Sequence, residues 1–321
     1  MSQVSSEPVA LASRPVRSSQ RTGGTATRLA PYGFVLPFVV LFLVFLVGPI
    51  LMAFWRSLFQ VKAASGLGFT GTPTTVFSGV KNYTQALGDA DFIAGFGRVL
   101  LFGVVQVPVM LVFALLLALL FDSAAVRFKR SFQIMVFLPY AVPGVIAALL
   151  WGFLYQPGVS PVVGSLRSAG IHVDFLGEGT VLWSLANISV WCYTGINMII
   201  LYAALQSVPK EITEAARIDG AGELRVAWSI KLPMIRMALL LTTLSSVIGT
   251  LQLFSEPSVI RTVTSNITSA YTPNMAIYNA STESQNPNLG AAMAILLGAV
   301  TLVLSLVLLR LSRQRGGVSP V

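Results

Sequence analysis

The chain has 321 residues, 55% of them hydrophobic and only 10% charged, with a formal net charge of +9 and a mean hydropathy of +0.77. Soluble domains carry about a quarter charged residues, so this composition excludes an ordinary soluble enzyme and points to a chain solvated by lipid. The basic surplus is then explained by membrane topology and anionic lipid headgroups, and no nucleic-acid partner is read from it.

In chain order, residues 1–28 are rich in Ser, Arg, Thr and Pro with almost no large apolar groups, and are expected to form a disordered cytoplasmic tail. They are not read as a signal peptide, because the apolar run that follows is long enough to span and has no small-residue cleavage site after it. Six windows lack any Asp, Glu, Lys or Arg: 29–55, 99–121, 131–166, 179–209, 237–255 and 284–309. Each supplies the roughly 20 apolar residues that one helical crossing needs. The prediction is an all-α integral membrane protein with six spans near 33–55, 99–121, 132–155, 181–205, 237–255 and 289–309, ending in a short tail over 313–321. Two further charge-free windows, 63–80 and 262–282, are rich in Gly, Thr, Ser and Asn and read as loops. With both termini in the cytoplasm, fifteen of the Lys and Arg residues fall inside and six outside, as the positive-inside rule requires.

Little in the chain suggests bond-making chemistry. Cys192 is the single cysteine and lies inside the fourth span, so neither a disulfide framework nor a Cys-based metal site is expected. His172, the single histidine, sits in an outer loop beside Asp174 and reads as a solvated loop residue. No G-x-x-x-x-G-K-[ST] sequence occurs, so no ATP site, metal or other cofactor is expected in this chain.

Within the spans, polar residues recur at helical spacing. Ser184, Asn187, Trp191 and Thr194 share one arc of span four; Thr242, Ser245, Ser246, Gly249, Gln252 and Glu256 share one of span five. Such stripes face neighbouring helices or a water-filled cavity. Thr242, Ser245, Ser246 and Gly249 are read as close helix contacts. Asn187, Trp191 and Gln252 are read either as packing or as contacts to a substrate, and Trp151, Tyr155 and Gln156 at the outer end of span three either as substrate contacts or as an interfacial belt. Aromatic faces beside amide groups suit a sugar, which offers an apolar C–H face and a rim of hydroxyls.

Between spans four and five lies EAARIDGAGELRVAWSIKLP, Glu214 to Pro233, too polar to cross a bilayer. Helix formers run into Gly220 and Gly222, a second amphipathic stretch follows, and Leu232-Pro233 is expected to stop it. The spacing of Glu214, Ala215, Ala216, Gly220, Ile230, Leu232 and Pro233 resembles the coupling loop of permease subunits in binding-protein-dependent ABC importers. Gly79-Val80-Lys81-Asn82-Tyr83, Leu138-Pro139-Tyr140-Ala141-Val142-Pro143 and Trp151 with Tyr155 resemble stretches of the maltose, lactose and glycerol-phosphate permeases. Two outer elements depart from that pattern: Thr262-Val263-Thr264-Ser265-Asn266 stands where a Gly-Gly-Pro element is usual, and Gly158-Val159-Ser160-Pro161 where Gly-Leu-Ile-Asn is.

The resemblance implies a type I ABC importer permease fold over residues 29–312, multi-pass in the plasma membrane of a bacterium or archaeon. It implies a cytoplasmic coupling loop at 208–233 that docks on separate ATPase subunits, with Glu214, Arg217 and Asp219 offering charged contacts. The other implied partners are a second, homologous permease chain, an extracytoplasmic solute-binding protein, membrane lipid and a small-molecule sugar or polyol. The alternative is a secondary transporter or channel, which usually carries an intramembrane charge; Glu256 is the nearest candidate and is placed at a span end.

Overall fold

The computed structural model describes residues 25–62, 74–123 and 126–314. Nearly all of both predicted tails lies outside the described residues. Five of the described helices are long and apolar enough to cross a membrane: Tyr32–Ser57, Ala90–Asp122, Val181–Gln206, Arg236–Ile260 and Pro287–Leu311. A bent pair, Lys129–Ala141 with Gly144–Tyr155, passes the same test when its two helices are taken together, which makes five or six candidate crossings.

The chain divides into two units, residues 1–51 and 52–321. In the first, α1 (Thr25–Phe42) continues through a π turn (Leu43–Val47) into the start of α2 (Gly48–Ser57). This helix is apolar all round, with Phe34 and Phe45 exposed, as a helix solvated by lipid or covered by another chain has to be.

The second unit starts with a feature the composition conceals. β1 (Phe59–Lys62) pairs antiparallel with β2 (Thr74–Phe77), Phe59 opposite Phe77, so part of the window expected to be loop is a hairpin strand. Buried Asn82, in α3 (Lys81–Gly88), fastens that hairpin by donating to the Ser57 carbonyl at 2.7 Å and the Phe59 carbonyl at 2.8 Å. Next comes α4 (Ala90–Asp122), whose first turn is capped by the Asp89 carboxylate accepting from the Phe92 amide at 3.0 Å. At 33 residues it is about 50 Å long and forms the mast of the fold. The partner of the mast is α8 (Val181–Gln206), where Met198 and Leu201 join the core cluster that holds Ala114 and Ala118. Small residues allow that close approach.

The segment 132–155, expected to be the third span, is not one straight helix. α5 (Lys129–Ala141) and α6 (Gly144–Tyr155) meet at 94°, and Leu138–Pro143 forms the elbow instead of the start of a span. Pro143 has no amide hydrogen and drives Val142 into extended geometry, φ −78° and ψ 127°, which ends α5. The backbone of α5 runs directly over α8: a Cβ on Gly195 would sit 2.8 Å from the Cα of Phe137.

After the short outer helix α7 (Pro161–Ser168), α8 leads to α9 (Lys210–Ile218), α10 (Glu223–Val226) and α11 (Leu232–Met234), then to α12 (Arg236–Leu251) and, past a break, α13 (Ser255–Ile260). The window 262–282, expected to be loop, contains α14 (Pro273–Tyr278) and a π turn over Asn279–Glu283. Buried Thr272 accepts from the Met275 amide and donates to the Leu253 carbonyl at 2.9 Å, capping α14 and tying it to the break before α13. The last helix is α15 (Pro287–Gln314).

Candidate functional site

Two interruptions of helix face one another. One is the Val142–Pro143 elbow; the other is Gln252–Phe254, between α12 and α13, where Phe254 takes φ −144° and ψ −53°. A Cβ on Gly144 would lie 3.6 Å from a carboxylate oxygen of Glu256, so the elbow and the start of α13 touch. Together with α4 and α8 they enclose a cavity of about 480 Å³, within the range of small-molecule sites. Non-helical backbone at membrane depth persists where protein buries it or water lines it, and half-helices that meet there make ligand sites. Tyr140 and Tyr193 form an edge-on pair on the wall, centroids 6.2 Å apart, beside Gln106, Asn197 and Gln252. Glu256 is on the same wall, only 5% exposed, and among the described residues its carboxylate has no hydrogen bond or ion pair to another side chain.

A second, more apolar pocket of about 400 Å³ lies near the first turns of α8, lined by Trp151, Tyr155, Phe175, Trp183 and Asn187. Its polar groups are largely spoken for. The Asn187 amide donates to the Tyr155 hydroxyl at 2.8 Å, that hydroxyl donates to the Ser184 carbonyl at 3.1 Å, and the Tyr155 ring stacks on Phe175 at 5.2 Å. The Trp151 indole N–H is buried without a partner among the described residues.

The segment between spans four and five is built as a helical hairpin. Its first arm, α9, closes at Gly220, where φ is +83°. The Gly220 amide bonds the Arg217 carbonyl at 3.0 Å and the Ala221 amide bonds the Ala216 carbonyl at 2.9 Å, a Schellman closure that needs a left-handed residue at this position. A Cβ on Gly220 would meet nothing within 4 Å, so glycine is demanded by the backbone angle and not by crowding. Arg217 reaches across the turn to Glu223 at 2.8 Å. The second arm carries a π turn over Ala227–Lys231, passes Leu232-Pro233 and ends at Met234, where Ile235 leaves helical geometry (φ −92°, ψ 11°) before α12 begins.

That second arm is bolted to the bundle. The Lys231 ammonium meets the Asp122 carboxylate at the end of α4 at 2.5 Å, with side-chain exposures of 10% and 13%. The other Asp122 oxygen accepts from Gln206, the last residue of α8, at 2.7 Å. One carboxylate therefore joins the loop stem to both helices of the central pair.

Residues 107–315 match the family described as the binding-protein-dependent transport system inner membrane component. The chain belongs to this family. Over 221 residues it is 36% identical to the sn-glycerol-3-phosphate transport system permease protein of Yersinia enterocolitica, covering 68% of this chain and 71% of that one. It is 35% identical to the lactose transport system permease protein of Rhizobium radiobacter, over 70% and 73% of the two chains. The permease is also similar in fold to a bacterial alginate ABC transporter solved with its alginate-pentasaccharide-bound periplasmic protein: the TM-score is 0.76 at 21% identity, over 94% of this chain and 100% of that one. The permease is thus a multi-pass membrane transport component and not an enzyme.

In the permease, the residues singled out from sequence separate into three places. Gln252 stands on the wall of the larger cavity, with Ser245, Ser246 and Gly249, which had been expected in helix contacts. Thr242 is a packing residue, 1% exposed with its hydroxyl bonded to the Ala238 and Leu239 carbonyls. Trp151, Tyr155 and Asn187 line the smaller pocket. Trp191 packs edge-on against Trp151 at 5.9 Å in the core, and Gln156 ends α6. Of the positions expected to couple to an ATPase, Glu214, Ala215, Arg217, Asp219, Gly220 and Pro233 are exposed, whereas Ala216, Ile230 and Leu232 are half-buried. Three things escape the sequence pattern: the Asp122–Lys231–Gln206 junction, the burial of Glu256 on the cavity wall, and the exposure of Ile218, Leu224 and Trp228 around the hairpin. The buried position of Glu256 removes the sequence argument that the spans lack an interior charge; family membership carries the case against a self-sufficient carrier.

Proposed function

We propose that the permease forms half of the pathway of an ATP-driven importer, that an extracytoplasmic solute-binding protein delivers a sugar or related polyol to it, and that a separate ATPase drives it through the Glu214–Pro233 hairpin. The observation that carries this reading is the junction at Asp122, because it links the hairpin stem to α4 and α8, whose Gln106 and Tyr193 stand on the cavity wall. A push on the hairpin then reaches the cavity through rigid helices instead of being lost in a flexible loop.

The exposed face of the hairpin supports a docking role. Ile218, Leu224 and Trp228 are 86%, 88% and 75% exposed, large apolar groups beside the charges of Glu214 and Asp219. Apolar anchors ringed by charge are typical of a protein interface. In this arrangement Glu214, Ala215 and Asp219 face the cytoplasmic ATPase, Arg217 stiffens the turn through Glu223, and a second, homologous permease completes the pathway. The sugar reading rests on the relatives named for glycerol 3-phosphate and lactose, and on a cavity wall that mixes tyrosine faces with amides and hydroxyls. Gln252 is the direct substrate contact; Trp151, Tyr155, Gln156, Asn187 and Trp191 shape the approach to it.

The experiment is reconstitution with the partner permease, the ATPase and the binding protein. Solute-loaded binding protein should stimulate ATP hydrolysis, and Glu214→Arg or Trp228→Asp should remove that stimulation while the variants still insert. Stimulation unchanged in both variants, or ion-gradient-driven uptake by this chain alone in liposomes, would sink the reading.

A further inference from the structure

We propose that Glu256 makes the larger cavity an anion-excluding site, so that the solute carried is an uncharged polyhydroxylated compound and not a sugar phosphate or a uronate. This rests on the importer reading and narrows its substrate class.

Four observations converge. Glu256 is 95% buried, being 5% exposed, yet it stands on the wall of a cavity of about 480 Å³. Its carboxylate is not committed to another side chain among the described residues. No Lys, Arg or His is among the residues lining the cavity. Two cations of other segments are engaged elsewhere: Arg98 donates to the Tyr271 carbonyl at 2.6 Å and lies over that ring, and Arg261 pairs with Glu283 at 3.7 Å. A buried acid is costly unless it is paired or hydrogen-bonded. Here the carboxylate accepts from its own main-chain amide, and its remaining acceptor positions are left to what enters the cavity.

The chemistry of those donors follows. A carboxylate accepts only, and it accepts most strongly from two hydroxyls presented side by side, as vicinal hydroxyls of a sugar are. Gly144 leaves its oxygens reachable, since a Cβ there would abut one of them at 3.6 Å. Tyr140, Tyr193 and Gln252 add aromatic faces and an amide beside it. A phosphate or carboxylate in the same space meets an uncompensated like charge, whose repulsion grows as the dielectric falls. Of the two named relatives, the lactose permease rather than the glycerol-phosphate permease therefore has the matching cargo type.

The test reads the sign of the cavity directly and needs no identified solute. In the assembled importer, with Cys192→Ala as background, Ser246→Cys and separately Gln252→Cys are labelled with two methanethiosulfonates of similar size, one carrying trimethylammonium and one sulfonate. Their rate ratio, divided by the same ratio for mercaptoethanol, should favour the cation by about 10-fold or more, and Glu256→Gln should bring it to within about twofold of unity. A ratio near unity or favouring sulfonate with Glu256 present would overturn the inference, showing that the partner permease neutralises the acid. Failure of both reagents at both positions would overturn it too, since the cavity would then be closed to polar solutes. Mass spectrometry of the solute that co-purifies with the binding protein adds an independent arm: a neutral sugar or polyol is expected, and a phosphate or uronate refutes the proposal. Stimulation of ATP hydrolysis by loaded binding protein, measured on the assembled importer that carries Cys192→Ala alone, separates the two levels. If it is present and the ratio is flat, only the role of Glu256 fails; if it is absent, the importer reading fails.

Discussion

Replacing Lys231 by Met strands the Asp122 carboxylate at the foot of α4. Both side chains are close to nine-tenths buried and 2.5 Å apart, so this is not a surface pair worth a fraction of a kcal/mol. Removing one member of a buried pair costs about 3–5 kcal/mol, because the remaining charge is left uncompensated. Gln206 still donates to Asp122 at 2.7 Å, which favours the lower end, about 3 kcal/mol, or roughly a 150-fold shift toward a detached stem. The effect should be local. Amide exchange over 223–234 should accelerate, basal ATP hydrolysis by the assembled importer should persist, and uptake per ATP should collapse. Pairing the change with Asp122→Leu removes the stranded charge and should recover thermal stability without recovering uptake. Wild-type uptake per ATP in Lys231→Met, or full recovery of uptake in the double variant, would refute a mechanical role for the junction.

Gly220→Ala should weaken the hairpin by about 1–2 kcal/mol through its φ of +83°, and Gly220→Asn by less, read as faster exchange at the Ala221 amide. Gly195→Ala should lower the melting temperature, since its Cβ would fall 2.8 Å from the Phe137 Cα and about 1–3 kcal/mol of overpacking follows. Asn187→Ala should lower stability by about 1 kcal/mol through the lost bond to Tyr155 and affect uptake modestly, whereas Gln252→Ala should lower uptake with little change in melting.

What could be read without coordinates is what lipid and backbone geometry impose locally. Long windows free of charge had to become crossings, and Gly220 had to close a helix because few other residues tolerate its angle. The elbow at Val142–Pro143 was within reach too: the charge-free window 131–166 is far longer than one crossing needs, and Pro143 lies inside it. The rest depends on contacts between distant parts of the chain. Asp122 and Lys231 are 109 residues apart, and each alone reads as an ordinary helix-end charge. Glu256 looked terminal because the apolar run stops beside it, but α12 breaks and restarts as α13, carrying the acid back against Gly144. The strand β2 is hidden for a similar reason: a Thr-rich segment has no partner until Phe59 is brought opposite Phe77.

The junction at Asp122 makes little sense as a device for stability alone. A buried ion pair often gains nothing over apolar residues of similar volume, since desolvation offsets most of its attraction. Its merit is geometric. An apolar contact at the foot of α4 would tolerate sliding of the stem by part of a turn, whereas a carboxylate held on one oxygen by Lys231 and on the other by Gln206 has one satisfied arrangement. Any displacement leaves a buried charge short of a partner, and that penalty keeps the hairpin, α4 and α8 in fixed register. For a hairpin proposed to receive force at α9 and pass it to a cavity walled by α4 and α8, fixed register is the property required: Gly220 sets the angle between its arms, Arg217–Glu223 braces the turn, and Asp122 holds its stem to the helices that must move.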